Sequence, residues 1–250
     1  MTPLSHACLS DVGRTHEANQ DRWFADPAYG LFIVADGMAV EEPAQIVVDL
    51  LPDAICRRLG ETPDLSTELS AAAVCAAIAE VSEKVHGVAL DRSPGGWLGL
   101  GATIVVAVVR QAGALLAHLG DSRVYFMRDG QLQLITRDHS LVAEFVRLGK
   151  LTREQADQLK GNGGPTRFAG MTDEAVADTR VVELRPGDRL LLCSDGLSSM
   201  LDDSAIASIV AAHPTPASAC RALVDEANNA GGEDNITVLI IDVPPLPLAA

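Results

Sequence analysis

Three aspartates in this chain stand at the ends of apolar runs, each beside glycine or a turn residue. Leu31 to Met38 reads Leu-Phe-Ile-Val-Ala-Asp-Gly-Met and delivers Asp36, while Leu190 to Gly196 reads Leu-Leu-Leu-Cys-Ser-Asp-Gly and delivers Asp195. Gly231 to Ile241 runs the order backwards, placing Asp234 just before Ile-Thr-Val-Leu-Ile-Ile. Apolar runs of this length bounded by turn residues read as strands buried on both faces. A carboxylate at the edge of a core is costly unless a cation neutralises it. No Lys or Arg lies near Asp36 in sequence, so the economical reading is a cluster of acidic oxygens around hard divalent ions, Mg2+ or Mn2+. A second stretch with chemical capacity is Gly13-Arg-Thr-His-Glu-Ala-Asn-Gln-Asp21, which packs two bases, two acids and two amides into a turn-prone loop. Such a loop is either solvated surface or part of a site.

The elements that must carry these groups follow from periodicity. Cys8 to Val12, Leu31 to Asp36, Thr103 to Val109, Ala114 to Leu119, Arg123 to Met127, Leu132 to Thr136, Val181 to Leu184 and Arg189 to Ser194 read as strands. The short turns between 103 and 136 predict an antiparallel meander. Helices are expected at Pro43 to Gly60, kinked or split at Pro52, and from Asp64 as N-cap to about His86. Further helices are expected at Ser140 to Leu148, at Thr152 to Lys160 behind a Thr152/Gln155 capping box, at Ala205 to Ala212 and at Thr215 to Ala230. Ser93 to Gly101 is glycine-rich but lacks the Lys-Ser/Thr ending of a P-loop, and reads as a connector. Two mainly antiparallel sheets packed face to face, with helix pairs outside, bury every apolar stripe.

With 250 residues and no internal break, the chain reads as one domain, with a core over about 8–243, a candidate flap at about 140–175 whose mobile stretch is expected at 161–175, and a Pro-rich tail at 244–250. A formal net charge of −15 disfavours nucleic acid as a partner. No apolar stretch reaches the roughly 20 residues a membrane helix needs, and the first residues lack the pattern of a signal peptide. Five cysteines without a Cys-x-x-Cys pattern argue for a reducing cytoplasm and against zinc or a disulfide framework. Cys193 reads as a small buried strand residue. Nothing resembles a dedicated dimerisation helix, so a monomer is favoured and the oligomeric state stays open.

Taken in order, Ser10-Asp-Val-Gly13, Asn19-Gln-Asp21, Val34-Ala-Asp-Gly-Met38, Gly101-Ala-Thr103, His118-Leu-Gly-Asp-Ser-Arg-Val-Tyr125, Thr136-Arg-Asp-His-Ser140, Leu192-Cys-Ser-Asp-Gly-Leu197 and Gly232-Glu-Asp-Asn-Ile-Thr-Val238 resemble the motifs of the metal-dependent PPM family of Ser/Thr protein phosphatases, the protein phosphatase 2C-like enzymes in their bacterial single-domain form. The resemblance implies an α-β-β-α sandwich with a metal centre at one end of the sheets. It implies that Asp36 bridges two ions, that the Gly37 carbonyl binds the first, and that Asp195 and Asp234 bind the second. Asp121 would share a weaker third ion with Asp195, and Gln20 and Asp21 would hold metal-bound waters. Two ions ~3.5 to 4 Å apart acidify a bridging water and neutralise phosphoryl oxygens, so an in-line displacement needs no Ser or Cys nucleophile. The implied substrate is a phosphoserine or phosphothreonine protein, a bacterial Ser/Thr kinase or its target.

Two departures fall on the substrate side. The family's phosphate-clamping arginine is replaced by His16, with Arg14 two residues earlier. A histidine offers a single donor where a guanidinium offers a fork. Either Arg14 takes that role, or His16 serves as hydrogen-bond donor or general acid, or the site is weakened. The family's glycines after Asp36-Gly-Met38 are Ala39 and Val40, followed by Glu41-Glu-Pro. These changes keep open an alternative from another class, a phosphatase-fold module that binds a phosphoprotein or regulator with little turnover. A carboxylate-metal nuclease fits the ions but not the acidic surface.

Overall fold

The computed structural model describes residues 4–61, 63–92, 99–110, 113–152, 155, 156, 159, 164–171 and 175–244. In chain order its strands are β1 (Ser5–Asp11), β2 (Arg22–Asp26), β3 (Leu31–Met38), β4 (Gly101–Arg110), β5 (Gly113–Leu119), β6 (Arg123–Arg128), β7 (Gln131–Leu134), β8 (Asp178–Glu183), β9 (Arg189–Cys193) and β10 (Ile236–Asp242). The helices are α1 (Glu42–Leu59), α2 (Glu68–Arg92), α3 (Leu141–Arg147), α4 (Asp195–Ser198), α5 (Asp203–Ala212) and α6 (Pro216–Asn229).

The strands form two five-stranded sheets, β1-β10-β9-β6-β7 and β2-β3-β4-β5-β8, with every pairing antiparallel. Strand alternation explains why the apolar runs are unbroken: successive side chains face opposite sides of a sheet, and here both sides are dry. On β3, Leu31, Ile33 and Ala35 pack with α1 and α2, while Phe32 and Val34 pack with Leu190, Leu192, Leu239 and Ile241 of the facing sheet. On the other sheet Leu191, Cys193, Val238 and Ile240 turn outward onto α5 and α6. Three apolar layers result, and the expected α-β-β-α sandwich is the fold.

Three expectations need correction, and one strand was not foreseen. The strands from 103 to 136 are not one meander: β4–β5 and β6–β7 are hairpins of different sheets, and Gly120 to Ser122 carries the chain across. Gly120 does this at φ +117, where a Cβ would lie 2.5 Å from that of Thr103. Strand β2 escaped the sequence pattern because its five residues, Arg-Trp-Phe-Ala-Asp, are charged at both ends and lie at a sheet edge. Pro52 does not split α1, which runs unbroken through it. The second helix starts at Glu68, because Asp64 holds the Ser66 amide in a turn and Thr67 accepts from the Ser70 amide instead. The Thr152/Gln155 capping box is reciprocal, at 2.9 and 3.2 Å. Most of the helix expected after it, the connector residues 93–98, flap residues 161–163 and 172–174, and the tail from 245 lie outside the described residues. Flap residues 164–171 dock on the first hairpin strand, where Ala169 and Ala102 exchange backbone hydrogen bonds and Phe168 is buried.

Candidate active site

Each strand's inward parity continues past its last apolar residue and delivers a polar group to one end of the sandwich. Beyond Phe32 and Val34 comes Asp36; beyond Leu190 and Leu192 comes Ser194; before Leu239 comes Thr237; and before Ala107 and Val105 comes Thr103. The register places these ends together, with Asp36 opposite Thr103, Ile104 opposite Leu119 just before the Gly120 turn, and Val238 opposite Cys193. The polar cap is cross-linked: the Ser194 hydroxyl donates to Asp21 Oδ2 at 2.7 Å, Ser10 and Thr237 hydroxyls meet at 2.7 Å, and Thr103 meets Ser122 at 2.6 Å. Ser10, Ser194, Thr237 and Asn235 were not among the expected site residues. The same parity that located Asp36 could have found Ser194 and Thr237.

Asp36, Asp195, Asp21 and Asp121 converge here. Burial raises the Asp36 carboxyl well above its ordinary range, and the charges of Asp21, Asp195, Asp121 and Asp234 raise it further. Burial likewise pushes Asp21 up to about 7, Asp121 to about 8 and Asp195 to about 6. Asp195 shares a hydrogen bond with Asp36, yet its buried Oδ1 has no partner, and neither does Asp21 Oδ1. Arg123 is the nearby guanidinium, but Asp138 takes it in a bidentate pair at 2.9 and 2.6 Å. Unpartnered buried oxygens and mutually repelling carboxylates are what a hard divalent cation relieves, so this oxygen-only set fits Mg2+ or Mn2+. Asp234 sits at the rim, half exposed. It is brought against Asp195 by Gly196, where an added Cβ would lie 2.1 Å from the Asn235 carbonyl oxygen. Gly37 is also tight, with 2.6 Å from such a Cβ to the Gln20 carbonyl oxygen.

Asn235 anchors the polar loop: it donates to the Val12 and Ala18 carbonyls and accepts from the Gln20 amide at 2.7 Å. Within that loop His16 Nε2 lies 3.4 Å from Asp234 Oδ1. Arg14 is held by its own amide, which donates to the Gly232 carbonyl at 2.7 Å, and its exposed side chain makes no ion pair among the described residues. A groove of about 730 Å³ opens beside Gln20, between Ala18, Arg22, Ala39, Val40 and the first turns of α1.

A second titratable cluster comprises His118, His139 and Asp178, whose ligand atoms fall within 4.8 Å of one another. Its hydrogen bonds argue against a metal. The Gly120 N–H donates to His139 Nδ1, so the ring's proton sits on Nε2, which donates to Asp178 Oδ2 at 3.3 Å and has no lone pair to give. Arg137 and Arg167 already face the Asp178 carboxylate, at 4.0 and 3.4 Å. The rings of His118 and His139 stack at 4.6 Å, and His118 Nε2 donates to the Arg137 carbonyl. Burial, then the His118 neighbour, lowers His139 to about 4. An unfolded histidine titrates near 6.5, so between about 6.5 and 4 the unfolded chain binds the extra proton and stability falls as pH falls. With divalent ion saturating, unfolding of the wild type should lose about 2–3 kcal/mol more than His139→Gln from pH 7 to pH 4.5. Equal pH slopes for the two proteins would refute it.

The protein phosphatase 2C family model matches residues 12–227. Protein phosphatase PhpP of Streptococcus pneumoniae is 33% identical over 239 residues, spanning 94% of this chain and 96% of that protein. The serine/threonine phosphatase stp of Listeria monocytogenes is 32% identical over 240 residues and 93% of each. Among solved structures, the catalytic domain of the serine/threonine protein phosphatase PstP in complex with two manganese ions superposes with a TM-score of 0.81 at 31% identity, covering 96% of this chain and 98% of that one. The PPM Ser-Thr phosphatase MsPP from Mycobacterium smegmatis, in complex with cacodylate, gives 0.80 at 32% identity over 97% and 100%. The chain belongs to the protein phosphatase 2C family, and is a bacterial PPM-type, metal-dependent protein-serine/threonine phosphatase. Its substrates are phosphoproteins. Among the described residues no helix is long and apolar enough to cross a membrane.

Proposed function

We propose that the polar end of the sandwich holds two divalent ions, Mn2+ or Mg2+, with a weaker third, and hydrolyses phosphoserine and phosphothreonine there. The observation that carries this reading is the set of buried, mutually repelling carboxylates with unpartnered oxygens. Asp36 and the Gly37 carbonyl hold the first ion, Asp36, Asp195 and Asp234 the second, and Asp121 with Asp195 the third. Gln20 and Asp21 orient the surrounding waters. Bound there, such a pair supplies an acidified water at neutral pH and neutralises charge on the phosphoryl group. Ser194 fixes the orientation of Asp21, and His16 that of Asp234. Engaged with Asp234, His16 leaves the phosphate to Arg14, whose guanidinium is free to make a bidentate contact. The phosphorylated segment lies along the groove beside Gln20. The enzyme opposes a Ser/Thr kinase in the cytoplasm, acting as a monomer, and its acidity keeps it off nucleic acid.

The test is Mn2+-dependent hydrolysis of p-nitrophenyl phosphate and a phosphothreonine peptide by wild type, Arg14→Ala, His16→Ala and His16→Arg. Arg14→Ala should lower kcat/KM on the peptide about tenfold to a hundredfold through lost phosphate contact. His16→Ala should act mainly on Mn2+ requirement, raising the concentration needed a few-fold. Wild-type rates in Arg14→Ala would remove Arg14 from the site. Near-zero wild-type turnover restored by His16→Arg would favour the binding-module alternative.

A further inference from the structure

Ala39 occupies a backbone conformation that side chains avoid, φ +68, two residues after Gly37. The turn after β3 is therefore biased to relax, and relaxation would pull on Met38 and Gly37, the last ladder residues of β3, opposite Gly101 and Ala102. A neighbouring guanidinium opposes that relaxation. Strand parity turns Arg22 of β2 toward the α1 side, along with Phe24. Its Nη1 donates to the Asn19 and Asp21 carbonyls at 2.9 and 2.8 Å, its Nε to Gln45 Oε1 of α1 at 2.8 Å, and its Nη2 to Glu41 Oε2 at 2.5 Å. Glu41 is the N-cap of α1, yet its side chain makes no capping bond and is given to Arg22 instead. Arg22 thus ties the Asn19-Gln-Asp21 loop to the far end of the turn that follows β3, from Ala39 to Glu41. The two segments are already in contact, since a Cβ on Gly37 would meet both the Gln20 and Val40 carbonyl oxygens.

We infer that Arg22 is a positioning residue, a staple that holds the Ala39 turn in its left-handed form and so keeps the Gly37 carbonyl aimed at the first ion. The inference rests on the proposed metal reading for its consequence, though not for the staple itself. A glycine at 39 needs no staple, because it adopts positive φ without strain. Arg22 and residue 39 must therefore be coupled, which a merely structural arginine would not show.

The experiment uses the full chain as wild type, Arg22→Ala, Arg22→Lys, Ala39→Gly and the Arg22→Ala/Ala39→Gly double variant. Free Mn2+ is counted by electron paramagnetic resonance during titration. Hydrogen exchange is followed over 37–41 in metal-free protein, with the amides of β9 and β10 as internal reference. Arg22→Ala should weaken the tighter Mn2+ site about tenfold and speed exchange at 37–41 by a similar factor, leaving the reference amides unchanged. Arg22→Lys should fall between, and Ala39→Gly in the Arg22→Ala background should bring Mn2+ affinity back to within about threefold of wild type. Unchanged exchange at 37–41 in both arginine variants overturns the staple, and so does affinity that glycine fails to recover. Wild type that binds no Mn2+ would sink the metal reading alone, with the exchange data still deciding the staple.

Discussion

Asp36→Asn and Asp195→Asn should each abolish phosphatase activity, by a factor on the order of 10³ or more, while making the metal-free protein more stable at pH 8. The two halves of this result have one cause. Asp36 is buried among Asp21, Asp195, Asp121 and Asp234, and the nearby guanidinium of Arg123 is committed to Asp138. Without a bound cation its charge is a liability, so an amide of the same shape removes repulsion and can still hydrogen-bond Asp195; the gain should be about 1–3 kcal/mol. With a bound cation the same carboxylate would hold the ions on which the proposed hydrolysis depends. Residues retained for packing alone behave otherwise, losing stability and activity together. Urea unfolding with and without Mn2+, beside hydrolysis of p-nitrophenyl phosphate, gives both numbers. Unchanged turnover in either variant would contradict the assignment, as would a fall in metal-free stability.

The second large effect is a reversal of pH dependence by metal. Burial holds Asp21 near 7, Asp121 near 8 and Asp195 near 6, all above the unfolded value of 3.8. Between about 4 and 8 the native state therefore binds more protons than the unfolded chain, and metal-free stability falls as pH rises through that window. A tenfold difference in proton affinity is worth about 1.4 kcal/mol, and the groups are coupled rather than additive, so the loss should reach several kcal/mol. His139 and its lowered neighbour His118 work in the opposite sense below 6.5, but with Asp36 also raised they are two groups against four. A divalent ion takes the place of the protons, so Mn2+ should raise the melting temperature little at pH 5 and by about 10 °C at pH 8. A metal-induced shift that is the same at both pH values would show that these carboxylates are not where the ion binds.

Much of this arrangement was legible in the amino-acid sequence, and for a definite reason. Asp36 and Asp195 each follow an apolar run and precede glycine, so strand end, buried charge and tight turn were all written within about eight residues. The two-sheet sandwich followed from the same unbroken runs, which require both faces of a sheet to be covered. What escaped lacked such local marks. The Gly120 turn is as short as a hairpin, yet it crosses between sheets, at a positive φ packed against Thr103 that no local pattern announces. Asp178 lies 39 residues from His139 and joins it through a tertiary contact that no spacing announces. Nothing in the sequence singled out Arg22, which lies in the strand that the apolar pattern missed. Its importance depends on Ala39 adopting a left-handed conformation that sequence assigns to glycine. The replacement of glycine was visible, while the compensation for it was not.

A crystal of the protein grown with Mn2+ and recorded at the manganese absorption edge would locate the ions outright. Two strong anomalous peaks are expected among the carboxylates of Asp36, Asp195 and Asp234, with a weaker third beside Asp121. Peaks elsewhere, at His118 and His139 for instance, or none at that end of the sandwich, would contradict the assignment of this cluster as the metal centre.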